Sequence, residues 1–66
     1  MVITLNGERH ELDAPVTIAV LLSHLGIDSR RVAVEHNFVV LKRAVFDEVM
    51  VRDGDVVEIV NFVGGG

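Results

Sequence analysis

One change of hydrophobic period constrains this chain more than anything else in it. Ile18, Leu21, Leu22 and Leu25 fall at i, i+3, i+4 and i+7, which is one stripe of an amphipathic helix. The apolar residues on both sides of that stripe sit in short, β-prone runs. A lone helix among strands buries its stripe most simply across one face of the sheet that those strands form, so the pattern predicts an α+β domain with one helix on a mixed sheet. Thr17 is placed to cap the helix start, and Gly26 stands where a left-handed residue would end it after little more than two turns.

The flanking segments supply the strands. Val2 to Leu5 is followed by Asn6-Gly7, the dipeptide best suited to the two positive φ angles of a type I′ hairpin, and a second strand is expected from Glu8 to Leu12. Asp13-Ala14-Pro15 then breaks the pattern. After the helix, Val32 to His36 reads as a third strand and Phe38 to Leu41 as a short fourth, with a turn at Asn37. Residues 42–48 have no clear period and are expected to form an irregular turn that sends Phe46 or Val45 into the core. Asp53-Gly54-Asp55 signals a tight turn before the strongest strand, Val56 to Val60, whose β-branched density predicts a central position buried on both faces. The first and last strands are expected to lie parallel at the centre of the sheet.

Size and charge narrow the function. With 66 residues there is room for one core, and with no cysteine that core has no disulfide or thiolate metal site to support it. Any covalent carrier role must therefore use a group other than a thiol. Half of the residues are hydrophobic and 24% charged, proportions that fold rather than stay disordered. Ten acidic residues against six basic ones leave a net charge of −4, which is contrary to the basic footprint of a nucleic-acid binder. No apolar run approaches the roughly 20 residues needed to span a bilayer, and no basic, apolar leader precedes the first strand. The expectation is a cytoplasmic protein with protein partners and no nucleic-acid or membrane contact.

The chain ends in Gly64-Gly65-Gly66, and two readings stand side by side. Glycines tolerate a fraying terminus. A side-chain-free tail also threads a narrow channel in a partner's active site, where any Cβ would meet the walls. If its carboxylate is activated as an acyl adenylate, glycine has no α-carbon configuration to lose and no bulk to obstruct attack on the carbonyl.

The residues of the third strand and beyond carry a family resemblance: Val32-Ala33-Val34-Glu35 with Asn37, then Asp53-Gly54-Asp55, then Glu58 through Gly66, in that order. The chain resembles the ThiS family, sulfur carriers of thiamin thiazole synthesis with a ubiquitin-like β-grasp fold and a Gly-Gly end. It departs from the family at Leu41-Lys42-Arg43, where Val-Pro-Arg is frequent, at Phe46, where tryptophan is frequent, and at Phe38, where a small or polar residue is usual. The resemblance implies one β-grasp domain over residues 1–66, with 64–66 a flexible functional tail. It further implies that a ThiF-like adenylyltransferase activates the Gly66 carboxylate, and that a sulfur donor of the cysteine desulfurase type converts it to a thiocarboxylate. A ThiG-like thiazole synthase then takes the sulfur, with Gly64 and Gly65 threading into the partner's site. ATP and magnesium would belong to the activating enzyme, since the chain has no phosphate-binding loop; it is expected to bind no cofactor and to be a co-substrate, not an enzyme.

Phe62 and Val63 lie between the last strand and the tail, either completing the core or contacting a partner. His10, His24 and His36 lack the spacing of a local metal site. Asp53 and Asp55 read first as turn residues, and Arg30-Arg31 with Lys42-Arg43 as a solvated face. Two rival functions remain: a carrier of another pathway, such as the small subunit of molybdopterin synthase, and a ubiquitin-like interaction module whose tail is inert or forms isopeptide bonds.

Overall fold

The computed structural model describes residues 1–62. Among these residues, seven strands and one α-helix follow the order β1 (Val2–Leu5), β2 (Glu8–Glu11), β3 (Val16–Thr17), α1 (Ile18–His24), β4 (Val32–His36), β5 (Val39–Leu41), β6 (Met50–Val51) and β7 (Val56–Asn61), with short 3₁₀ turns at Ser29–Arg31 and, within the irregular segment, Arg43–Val45. Five of the strands form one sheet in the order β2-β1-β7-β4-β5, and β3 pairs with β6 in a separate two-stranded ladder. β1 and β7 run parallel through Thr4↔Val56 and Leu5↔Val57; every other pairing is antiparallel. This is the β-grasp arrangement, with the last strand at the middle of the sheet.

The helix forms where the period changes. Thr17 Oγ1 accepts a hydrogen bond from the Val20 N–H at 3.1 Å, capping the first turn. Two further N–H groups of that turn, on Ile18 and Ala19, find the carbonyls of Val49 and Phe46 at 3.0 and 2.8 Å, so the irregular segment completes the helix start. At the other end Gly26 has φ 71°. The N–H of Ile27 reaches the Leu22 carbonyl and that of Gly26 the Ser23 carbonyl, the paired bonds of a Schellman stop.

Ile18, Leu21 and Leu22 of the stripe are buried against Ile3, Val32, Val34 and Val57 of the sheet, with Phe46 and Val51 closing the side. Phe46, and not Val45, is the buried residue of the irregular segment. Two expectations need correction. β7 is central but is not buried on both faces. Val57 is enclosed, whereas Val60 on the opposite face is 57% exposed, because the single helix covers one face of the sheet only. The fourth strand begins at Val39 and not at Phe38, which sits in the turn with φ 70°. The β3–β6 ladder, Val16↔Val51 and Thr17↔Met50, was not anticipated at all; two-residue strands are too short to show a period of two.

Candidate functional site

Three asparagine and aspartate side chains organise the end of the sheet where β7 begins. Asp53 Oδ1 accepts from the Val2 N–H at 2.8 Å and Asp55 Oδ2 from the Arg52 N–H at 2.9 Å, so the two aspartates around Gly54 hold the turn and fasten it to β1. Asp55 also lies 2.7 Å from His36 Nε2 and accepts from Asn37 Nδ2 at 3.2 Å. Asn37 Oδ1 in turn accepts from the Val56 N–H at 2.9 Å. Burial pushes the Asp55 carboxyl up, but the hydrogen bonds from His36, the Arg52 backbone and Asn37 outweigh it and hold the group below its ordinary value. The Asp-Gly-Asp residues are thus structural, as a turn reading requires.

Asn6 performs the same service on the other side of β7. β1 ends at Leu5, and the Asn6 side chain accepts from the Ile59 N–H at 2.6 Å, pairing a donor of β7 just past the last residue of β1. Both asparagines occupy positive-φ positions, 49° each. They therefore make the turn and satisfy the central strand with one residue type.

The other end of β7 leads to the tail. Val32 pairs with Asn61, and the Phe62 N–H donates to the Arg31 carbonyl at 2.9 Å, extending the ladder by one residue. Phe62 is 67% exposed and so adds nothing to the core. Val63, Gly64, Gly65 and Gly66 lie outside the described residues. Beside this end, Arg30 and Arg31 close on Asp28, at 3.0 and 4.0 Å. Hydrogen bonds from the Arg30 side chain and backbone N–H pull the Asp28 carboxyl down to about 2. The arginine pair is thus largely turned to holding its own turn. Lys42 and Arg43 make no ion pair among the described residues.

Alternation divides the sheet into two faces. Ile3, Val57, Val34 and Leu41 point to the helix. Thr4, Val56, Glu58, Val60, Ala33, Glu35 and Val40 point away from it, and Phe62 continues that set. The three histidines are dispersed, His10 on β2, His24 on the last turn of α1 and His36 at the end of β4.

Comparison with known proteins decides the family. Residues 3–66 match the ThiS family. The chain belongs to the ThiS family. A sulfur carrier protein ThiS of Bacillus subtilis is 42% identical over 50 residues, 76% of each chain. The thiamine biosynthesis protein ThiS of Geobacter metallireducens, solved by crystallography, superposes with a TM-score of 0.89 at 40% identity over the whole of both chains. A thiazole synthase of Paramagnetospirillum magneticum is 46% identical over all 66 residues, yet those residues correspond to only 20% of that protein. The chain thus spans about one-fifth of the thiazole synthases that it matches, here and in Magnetococcus marinus.

Proposed function

We propose that this ThiS-family chain carries sulfur on the carboxylate of Gly66 for formation of the thiazole ring of thiamin. The observation that supports this best is the ThiS match, which runs to residue 66 and so includes the glycine tail. The chemistry requires Gly66 to be the free end of the working protein. A ThiF-like adenylyltransferase would bring ATP and magnesium; a Gly66 carboxylate oxygen attacks the α-phosphorus and pyrophosphate leaves. The outer sulfur of a persulfide from a cysteine desulfurase-type donor attacks the acyl carbon and AMP leaves with the bonding electrons; a thiol then attacks the inner sulfur of the resulting acyl disulfide, forming a disulfide and releasing the Gly66 thiocarboxylate. Transfer to a ThiG-like thiazole synthase returns the carboxylate.

In this reading the chain is a co-substrate that binds no cofactor of its own, and Gly64 and Gly65 let the end enter each partner's site without a Cβ to obstruct it. Phe62 and Val63, which precede the tail in the sequence, are the candidate partner contacts. The likeness to thiazole synthases favours the thiamin pathway over carriers of other pathways. None of the described helices is long and apolar enough to cross a membrane, and the carrier reading is of a cytoplasmic protein.

Intact-mass measurement tests the reading. After incubation with a ThiF-like adenylyltransferase, ATP-magnesium and a sulfide source, the full chain should gain the difference between sulfur and oxygen, mapped to Gly66. A chain lacking Gly65-Gly66 should gain nothing. No gain by the full chain, under conditions that convert another ThiS protein, would leave the inert-tail interaction module as the better account.

A further inference from the structure

Among the described residues, the last backbone donor before the glycine tail is satisfied from outside the sheet. Val32 pairs with Asn61 at the end of the β4–β7 ladder, and the next donor along the chain, the Phe62 N–H, is taken by the Arg31 carbonyl at 2.9 Å. Arg31 belongs to the 3₁₀ turn Ser29–Arg31, and no residue of that turn is buried. The hydrophobic core therefore does not hold it; Asp28 does. Its Oδ1 accepts from the Arg30 N–H at 2.9 Å and from Arg30 Nε at 3.1 Å, and its Oδ2 from Arg30 Nη2 at 3.0 Å. Its carbonyl accepts from the Arg31 N–H at 3.0 Å. One residue thus fastens both the backbone and a long side chain of a turn open to water, at a cost in side-chain freedom that a surface ion pair barely offsets.

The consequence is a fixed point of departure for the tail. Four residues, Val63 to Gly66, follow Phe62, and a stretch of that length spans at most about 13–14 Å when fully extended. Without the Arg31 bond the ladder would release more than Phe62. Bonded pairs alternate along antiparallel strands, so the chain would come free back to the pair Ala33–Val60, adding Asn61 and Phe62 to the length that a partner must order. Resting on the reading that Gly66 carries sulfur, we infer that Asp28 is a positioning residue for the tail. By holding the Arg31 carbonyl on the Phe62 N–H, it fixes where the tail leaves the sheet, and hence how far the Gly66 carboxylate reaches into the activating enzyme. Backbone already ordered in the free chain adds no ordering cost on binding.

The test follows conversion of the full chain by a ThiF-like adenylyltransferase with ATP-magnesium and sulfide, beside hydrogen exchange of backbone amides in the free chain. The Phe62 amide should be protected in the parent chain. Asp28→Ala should speed its exchange by about tenfold or more and lower kcat/KM for conversion by about tenfold. The Thr4 amide, bonded to the Asp55 carbonyl at the far end of β7, should exchange as before. Asp28→Asn keeps a capping oxygen and should behave as the parent chain does. Tail length supplies a readout that a merely structural role would not move. Removing Gly64 from the parent chain should lower kcat/KM by about tenfold or more, and removing it from Asp28→Ala should cost less, because the released residues supply slack. Equal losses in the two backgrounds overturn the proposal. Parental kcat/KM in Asp28→Ala overturns it too, whether or not exchange quickens, and leaves the carrier reading intact. Equal acceleration at Thr4 would make Asp28 a support of the whole fold, and an Asp28→Asn chain as impaired as Asp28→Ala would assign the effect to a charge met by the enzyme; either overturns the positioning role. A parent chain that gains no sulfur overturns the carrier reading, and the positioning role with it.

Discussion

The two faces of the same five strands obey different rules. On the helix side, Ile3, Val34 and Val57 meet Ile18, Leu21 and Leu22 with essentially no residual exposure, and every choice there favours folding. On the open side, Val40 and Val60 remain in contact with water, and Glu35 faces Glu58. A turn of the same hairpin holds a phenylalanine where glycine would be easier. The difference locates the constraints: one face is under the demand of a small core, and the other tolerates exposed valines and facing carboxylates that a packed core would not.

The comparison can be broken most directly at the core. Leu21→Ala removes a fully enclosed side chain and should lower unfolding free energy by about 2–5 kcal/mol, comparable with the whole stability of a chain this small. Val40→Ala on the open face should change it by about 0.5 kcal/mol or less. Urea titration of both proteins measures the contrast. Equal losses would mean that the open face also contributes to folding.

The turn beneath β7 comes next. The Asp55 carboxylate makes three polar contacts, with His36, Asn37 and the Arg52 N–H, and Asp55→Asn should cost about 1–3 kcal/mol by leaving part of that network unsatisfied. Because the folded-state pKa of Asp55 lies below its ordinary value of 3.8, its ionised form stabilises the fold fully above that value. The contribution is lost as pH falls through the folded-state pKa. Denaturant unfolding as a function of pH should therefore show stability rising with pH in this acid range for the parent chain, and rising less steeply for Asp55→Asn. Parallel curves would show that the carboxylate charge is immaterial.

Much of the covered face was legible in the sequence, because burial there imposes periodicity. The stripe from Ile18 to Leu25, the cap at Thr17, the stop at Gly26 and the hairpin at Asn6-Gly7 are local signals read from adjacent residues. The open face was legible only in part. Phe62 could be placed beside the tail, but whether it entered the core depended on how far the helix reaches across the sheet. The valines of β7 suggested burial on both sides because β-branched residues favour strands whether or not anything covers them. The Glu35–Glu58 pairing is a matter of register between two strands far apart in the chain, β4 ending at His36 and β7 beginning at Val56, and no local pattern announces it. Likewise, the role of Asn6 and Asn37 in pairing β7 donors appears only when the neighbouring strands are in place.

Phe38→Gly should act in the opposite direction to a core mutation. The exposed ring contributes little burial, while glycine relieves the positive-φ cost, so a gain of about 1 kcal/mol is expected. Thermal unfolding would register it as a rise in midpoint. A loss of stability would mean that the ring packs on its own sheet.

The smallest effect concerns the facing glutamates and tests them on stability alone. Glu58→Gln keeps the shape of the side chain and removes one of two facing charges, so it should stabilise the fold by about 0.2–1 kcal/mol. The gain should shrink as salt rises, because repulsion between partly solvated charges is screened over about 10 Å at 0.1 M ionic strength. Chemical unfolding at 0.02 and 0.5 M sodium chloride separates this from a packing effect, which salt would leave in place. If the substitution destabilises the chain at both concentrations, the glutamate is part of the fold's own support. The two faces would then differ in exposure but not in what they contribute.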